Sequence, residues 1–173
     1  MELRAVNAGE PPASDLIEAM VREMEPLYGR IDVPDMPSGR PEDFGPPGGA
    51  FVVGFDGGGR AVCGGGVKRL EDGVAEIKRM YVVPEARGRG VARALLGALE
   101  DAARSLGYER VRLDVGPKQP AAEHLYRSAG YREIADYNGN YQASFWGEKR
   151  LRWERRRAAR TARRTPTPRR TST

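Results

Sequence analysis

Apolar residues at Val91, Ala94, Leu95, Ala98, Leu99, Ala102 and Leu106 recur every three or four positions, which lays one continuous stripe along an α-helix. Gly107 follows as a stop. The same period at Ile17, Met20, Met24 and Leu27 predicts a helix over residues 15–28, with Ser14 as its cap and Gly29 at its end. A third helix is expected from Pro120, whose fixed φ suits a first helical position. It would turn Ala122, Leu125, Tyr126 and Ala129 inward and stop at Gly130. Elsewhere the period is two. Residues 2–8 alternate well enough for a short strand, and 50–55, 60–70 and 74–83 read as a meander. Its turns fall at Asp56-Gly57-Gly58-Gly59 and Glu71-Asp72-Gly73. The triplet Gly64-Gly65-Gly66 predicts a bulge or a close overlay in the middle strand. Val111, Leu113 and Val115 alternate with Arg110, Arg112 and Asp114 in a further strand. Two last strands, 131–137 and 144–151, flank an Asn138-Gly139-Asn140 turn. Residues 30–49 are rich in Pro and Gly and hold no long regular element. The order β-α-(α/loop)-β-β-β-α-β-α-β-β describes an α/β domain with a mixed sheet.

Charge divides the chain in two. Residues 149–173 carry eleven Lys/Arg and one Glu, which leaves 18 Lys/Arg against 23 Asp/Glu in the first 148 residues. The overall charge of +5 thus belongs to no single region; a mildly acidic domain, 1–151, precedes a basic tail, 152–173. The tail alternates Arg with Ala, Thr and Pro and is expected to be disordered. No apolar run approaches the roughly 18 residues that cross a bilayer, and the start lacks the layout of a signal peptide. A single cysteine, Cys63, rules out an internal disulfide and suits a reducing, cytoplasmic setting. With one Cys and one His, a zinc site of the usual kind is not expected, and no metal is.

The chemistry begins at residues 87–92, Arg-Gly-Arg-Gly-Val-Ala, between a strand ending near Pro84 and the longest amphipathic helix. Glycines let backbone N–H groups approach an anion, and the helix N-terminus adds unpaired donors and a partial positive charge. Arg87, Arg89 and Arg93 add full charges. Gly-rich turns before helices are also common as plain structure. No Gly-Lys-Ser/Thr follows, so this is not a P-loop, and Gly88-x-Gly90 lacks the third glycine of a dinucleotide fingerprint.

The spacing of Arg87, Gly90 and Ala92 fits Arg/Gln-x-x-Gly-x-Gly/Ala. With Glu76-Ile-Lys-Arg-Met-Tyr-Val-Val-Pro84 before it and Leu125-Tyr-Arg-Ser-Ala-Gly-Tyr131 after it, the chain resembles the GNAT superfamily of acetyltransferases over about residues 1–151. The resemblance implies a mixed, mostly antiparallel sheet flanked by helices, and acetyl-CoA as cosubstrate. It places the pantetheine arm along Met80, Tyr81 and Val82. It places the pyrophosphate on Gly88, Arg89, Gly90, Val91, Ala92 and Arg93, behind Arg87. Where the family commonly has an asparagine that contacts the cofactor, this chain has Gln119, a longer amide followed by Pro120. Dimerisation through a sheet edge is a further implication.

Acetyl transfer from a thioester to an amine needs the amine deprotonated, an oxyanion stabilised and a thiolate protonated. The resemblance gives these tasks to Glu76 as base, the Val82 N–H as donor to the carbonyl, and Tyr126 as acid. Each has a plain alternative: Glu76 paired with Lys78 or a nearby Arg on a solvated face, and Tyr126 as a core tyrosine whose hydroxyl finds a partner. His124, two positions from Tyr126, is expected at the surface, and Cys63 as a small packing residue. The acceptor is expected to be a small-molecule amine such as an amino acid, a polyamine or an antibiotic-like amine. It would be chosen by residues 30–49 and 137–141, where Tyr137 and Tyr141 either wall a pocket or decorate a hairpin. A protein lysine or N-terminal acceptor stands beside this reading. So does a nucleic-acid-associated protein whose eleven cations from Lys149 onward make weak, salt-dependent phosphate contacts.

Overall fold

A computed structural model of the chain describes residues 1–31 and 36–151. The basic tail after Leu151 and residues 32–35 lie outside the described residues, so the expectations for the tail are not addressed by it. Among the described residues, seven strands form one sheet, and three α-helices pack on its two faces. The strands are β1 (Glu2–Val6), β2 (Ala50–Phe55), β3 (Ala61–Glu71), β4 (Val74–Val82), β5 (Arg110–Val115), β6 (Arg132–Glu133) and β7 (Phe145–Arg150). The helices are α1 (Ala13–Tyr28), α2 (Val91–Ser105) and α3 (Pro120–Ser128). The spatial order is β1-β2-β3-β4-β5-β7-β6, antiparallel throughout except for the β4–β5 pair. Among the described residues no helix is long and apolar enough to cross a membrane.

The near-continuous apolar run of β2 follows from burial on both faces. Val52 points into a core shared with Leu95, Leu96 and Leu99 of α2. Its neighbours Phe51 and Val53 point to the opposite side, onto Leu16 and Met20 of α1. Of the two features expected of the glycine triplet, the close overlay is present and the bulge lies elsewhere. Phe44, in a short 3-10 turn at Pro41–Phe44, lies so flat on Gly66 that a Cβ there would come within 2.2 Å of its ring. The bulge belongs to the neighbouring strand: Gly64 pairs with Tyr81 and Gly66 with Lys78, so β4 carries one residue more than β3. Arg79 absorbs it at φ 58, a left-handed conformation unusual for a side-chain-bearing residue.

Three expectations need correction. Helix α1 begins at Ala13, with Pro12 preceding it, so Ser14 sits inside the first turn rather than at the cap. The buried face of α2 is Leu95, Leu96, Leu99, Glu100 and Ala103, while Ala94 is exposed. The stripe is rotated because Glu100, an apparent surface residue, is drawn inward by Lys149 of β7 at 2.8 Å. The strand expected over 131–137 shortens to Arg132–Glu133. The Asp136 carboxylate accepts from the N–H groups of Asn138 and Gly139 at 3.0 and 2.7 Å, which curls the chain out of the sheet.

Candidate functional site

Strands β4 and β5 run parallel and pair only over their first three positions, Val74 with Arg110, Ala75 with Val111 and Glu76 with Arg112. Beyond Glu76 they part. A cavity of about 690 Å³ occupies the gap, lined by residues 77–82 on one side and 114–116 on the other. It continues to the start of α2 in one direction and to α1 in the other. The bulge and the parting leave β4 with a backbone edge that no strand covers. The Val83 N–H bonds to the Val62 carbonyl at 3.0 Å, on the β3 side. Successive peptides of an extended chain alternate, so the Val82 N–H faces the open edge.

At the α2 end the lining includes Arg87, Gly88, Gly90, Val91, Ala92 and Arg93. Gly90 precedes the helix at φ 78 and Gly88 stands at φ 74, and an added Cβ at either would meet no neighbouring atom. No side chain caps this helix and its first turn holds no acidic residue. Its first amides therefore face the cavity with their donor capacity unspent. That is the donor set an anion requires. Arg93 reaches Ser128 of α3 at 2.6 Å, while Arg89 is exposed and is not in the lining.

Arg87 is held differently from a phosphate ligand. Its Nε donates to the Val82 carbonyl at 2.9 Å and its Nη2 to Glu23 of α1 at 2.7 Å. The Tyr81 hydroxyl donates to the same Glu23 oxygen at 3.1 Å. Hydrogen bonding from Arg87 is the main reason the Glu23 carboxyl lies below its usual range. The sequence motif thus hides a clasp that ties the loop, β4 and α1 together.

Tyr126 lies beneath the cavity, buried, with its hydroxyl 3.8 Å from the Met80 sulfur, a weak acceptor. Burial, aided by the negative charge of Asp114, pushes this phenol well above its ordinary value. It remains a proton carrier across the whole physiological range. Gln119 stands at the N-terminus of α3, in the lining, without capping that helix.

Glu76 was expected to face the cofactor. Instead it is 1% exposed and absent from the lining. Its carboxylate accepts from Tyr137 Oη at 2.7 Å and Asn138 Nδ2 at 3.1 Å, and pairs with Lys78 at 3.2 Å and Lys68 at 3.5 Å. Pairing with Lys78 was the plain alternative, although the face proves buried rather than solvated. Strand alternation puts Lys78 and Asp114 on this same side, and they bond at 2.9 Å. Asp114 also accepts from Asn138 at 3.0 Å and Asn140 at 2.7 Å. Burial alone would raise its carboxyl, but Lys78 and the two amides outweigh it and hold the group below its ordinary value. The hairpin tyrosines do not wall the cavity: Tyr137 is turned onto Glu76 and Tyr141 is 72% exposed. Asn140 and Gln142 line it instead. The Asn-x-Asn spacing of 138 and 140 beside a strand aspartate was the available signal in the sequence. His124 is exposed, and Cys63 is fully buried with its thiol raised by burial. Among the described residues no group of three or more His, Cys, Asp or Glu could hold a metal ion.

Comparison with known proteins gives this geometry its context. A model of the acetyltransferase (GNAT) family matches residues 14–131. The IAA acetyltransferase of Azospirillum brasilense is 32% identical over 129 residues, 73% of this chain and 83% of that protein. The structure of a proposed acyl-CoA N-acyltransferase from Klebsiella pneumoniae matches with a TM-score of 0.69 at 28% identity, covering 87% of this chain and 97% of that one. A phosphinothricin acetyltransferase from Sinorhizobium meliloti, in complex with AcCoA, matches with a TM-score of 0.61 over 87% and 88% of the two chains. At 18% identity, that likeness is one of fold.

Proposed function

The chain belongs to the acetyltransferase (GNAT) family, and on that premise we propose that it transfers an acetyl group from acetyl-CoA directly to a primary amine of a small molecule. One observation carries this reading: a continuous cavity joins the capless N-terminus of α2, the parted edges of β4 and β5, and the wall of α1. The residues present fit the cosubstrate. Amides of Gly88 and of residues 90–93 and the Arg93 guanidinium suit a pyrophosphate, and the open edge of β4 over Met80, Tyr81 and Val82 suits an amide-bearing arm. Arg87 acts as a positioning residue, since its guanidinium is spent on Val82 and Glu23.

When bound, acetyl-CoA supplies an acetyl thioester whose C–S bond breaks as the C–N bond forms, and whose thiolate then takes up a proton. Tyr126 holds that proton at Oη, in the cavity and away from any strong acceptor, and the proton the amine gives up as the C–N bond forms passes to water in the cavity, from which the tyrosine is reprotonated. The Val82 N–H, facing the open edge, is the backbone donor for the carbonyl oxygen. Glu76 and Asp114 hold the floor and the 138–142 loop in place, because their oxygens are already taken up by Lys68, Lys78, Tyr137 and two asparagines. Direct transfer agrees with a buried Cys63 outside the lining. The test is an acetyl-CoA thiol-release assay across a panel of primary amines, with Tyr126→Phe alongside. The variant should lose about 100-fold in kcat while keeping its affinity for acetyl-CoA. Unchanged turnover would remove Tyr126 from the mechanism.

A further inference from the structure

The two ends of the cavity differ in chemistry. The end away from α2 is walled by Met20, Met24, Leu27, Tyr28, Ile31 and Met36. With Met80 at the centre, four of the five methionines of the chain line this one space. Thioether side chains are polarisable and conformationally adaptable, and they pack well on aromatic faces. Three of the α1 residues, Met20, Met24 and Leu27, recur at helical spacing, so the helix presents a stripe rather than scattered contacts.

The charged groups at this end point the same way. Among the described residues the lining holds two carboxylates, Glu23 and Asp114. Glu23 accepts from Arg87 and Tyr81, and both oxygens of Asp114 are bonded, one to Lys78 and the other to Asn138 and Asn140. Each of these carboxylates is thus already paired with a cation of the protein, Glu23 with Arg87 and Asp114 with Lys78. An acceptor with several ammonium groups would find both of these carboxylates already engaged and would have to shed its water against methionine. An acceptor with one amine and an apolar body would not. The lone amine needs only to reach the place where β4 and β5 part, and the body replaces water along α1.

We infer that the acceptor is a primary monoamine with an aryl or branched-alkyl body, seated on the methionine face of α1 with its amine toward Tyr126. This rests on the acetyl-transfer reading above, and the experiment separates the two. Acetyl-CoA binding to the full chain is measured by calorimetry. Thiol release is then compared for 2-phenylethylamine, isopentylamine, spermidine and free lysine. For the two apolar amines kcat/KM should exceed that for spermidine and lysine by at least about tenfold. Met24→Glu should reverse this order, lowering kcat/KM for 2-phenylethylamine about tenfold or more and raising that for spermidine, while acetyl-CoA affinity holds. Met24 is half-buried, so the variant is expected to fold, and its melting curve is recorded beside the wild type. Equal or better use of spermidine by the wild type, no response to Met24→Glu, or acetyl-CoA binding with no apolar amine acetylated would each overturn the inference. Failure to bind acetyl-CoA at all would overturn the acetyl-transfer reading instead.

Discussion

The start of α2 and the 136–142 segment both border the cavity, but they are built on opposite principles. The α2 end is made of backbone: two glycines at positive φ, an uncapped helix and few side chains facing the ligand space. Its geometry is dictated locally, by about seven consecutive residues, so a short motif suffices to announce it. The 136–142 segment is made of side chains gathered from afar. Asn138 and Asn140 reach Asp114 on β5, Asn138 also reaches Glu76 on β4, and Trp146 on β7 donates to Asn138 Oδ1 at 3.1 Å. Nothing within the segment itself states which of these partners it will meet. Backbone sites tolerate changes that keep the conformation; networks of buried charge fail when one member is lost.

That contrast sets the order of expected effects. Asp114→Ala should be the most damaging, because it leaves Asn140 Nδ2 without its acceptor and takes from Lys78, 11% exposed, and from Asn138 one of the two carboxylates each one meets. A loss of about 3–5 kcal/mol is expected from chemical denaturation. Glu76→Gln comes next. It leaves Lys68 and Lys78 short of a charge but keeps an acceptor for Tyr137, and should lower stability by about 2 kcal/mol. Its kcat per folded molecule should stay close to that of the wild type, whereas loss of a general base would lower kcat by about 100-fold or more. A fall of that size would return Glu76 to the role first expected of it. Gly90→Val, at φ 78, should destabilise by about 1–2 kcal/mol and weaken acetyl-CoA binding, with acceptor KM little changed.

The smallest effect is one of pH. The folded Asp114 carboxyl lies below its unfolded value of about 3.9. Its contribution to stability is therefore fully present above that pH and is lost as pH falls through the folded value. The melting temperatures of wild type and Asp114→Asn should differ at pH 6 and converge as the pH drops below about 4. A constant difference across that window would mean that Asp114 is not the anion the geometry describes.

Much of the fold is legible from periodicity. The bounds of β2 coincide with the expected strand, the three helices lie where the apolar stripes put them, and the glycine triplet marks the overlay by Phe44. The departures share one cause. Glu100 and Asp114 are charged residues that the patterning assigns to solvent, and each is buried where a lysine distant in sequence meets it; Glu76, expected to face the cofactor, is likewise met by Lys68 across the strand pair. Pairings of that kind carry no local signature. The bulge at Arg79 escapes for a related reason, since the extra residue is defined only against the register of β3.

The claim that the backbone end and the side-chain end divide the work can be tested by amide hydrogen exchange on the full chain with and without acetyl-CoA. The account predicts protection at Val82 and at residues 88–93, with residues 138–142 unchanged until an acceptor amine is added. Protection confined to 138–142, or none at 88–93 under saturating acetyl-CoA, would contradict it.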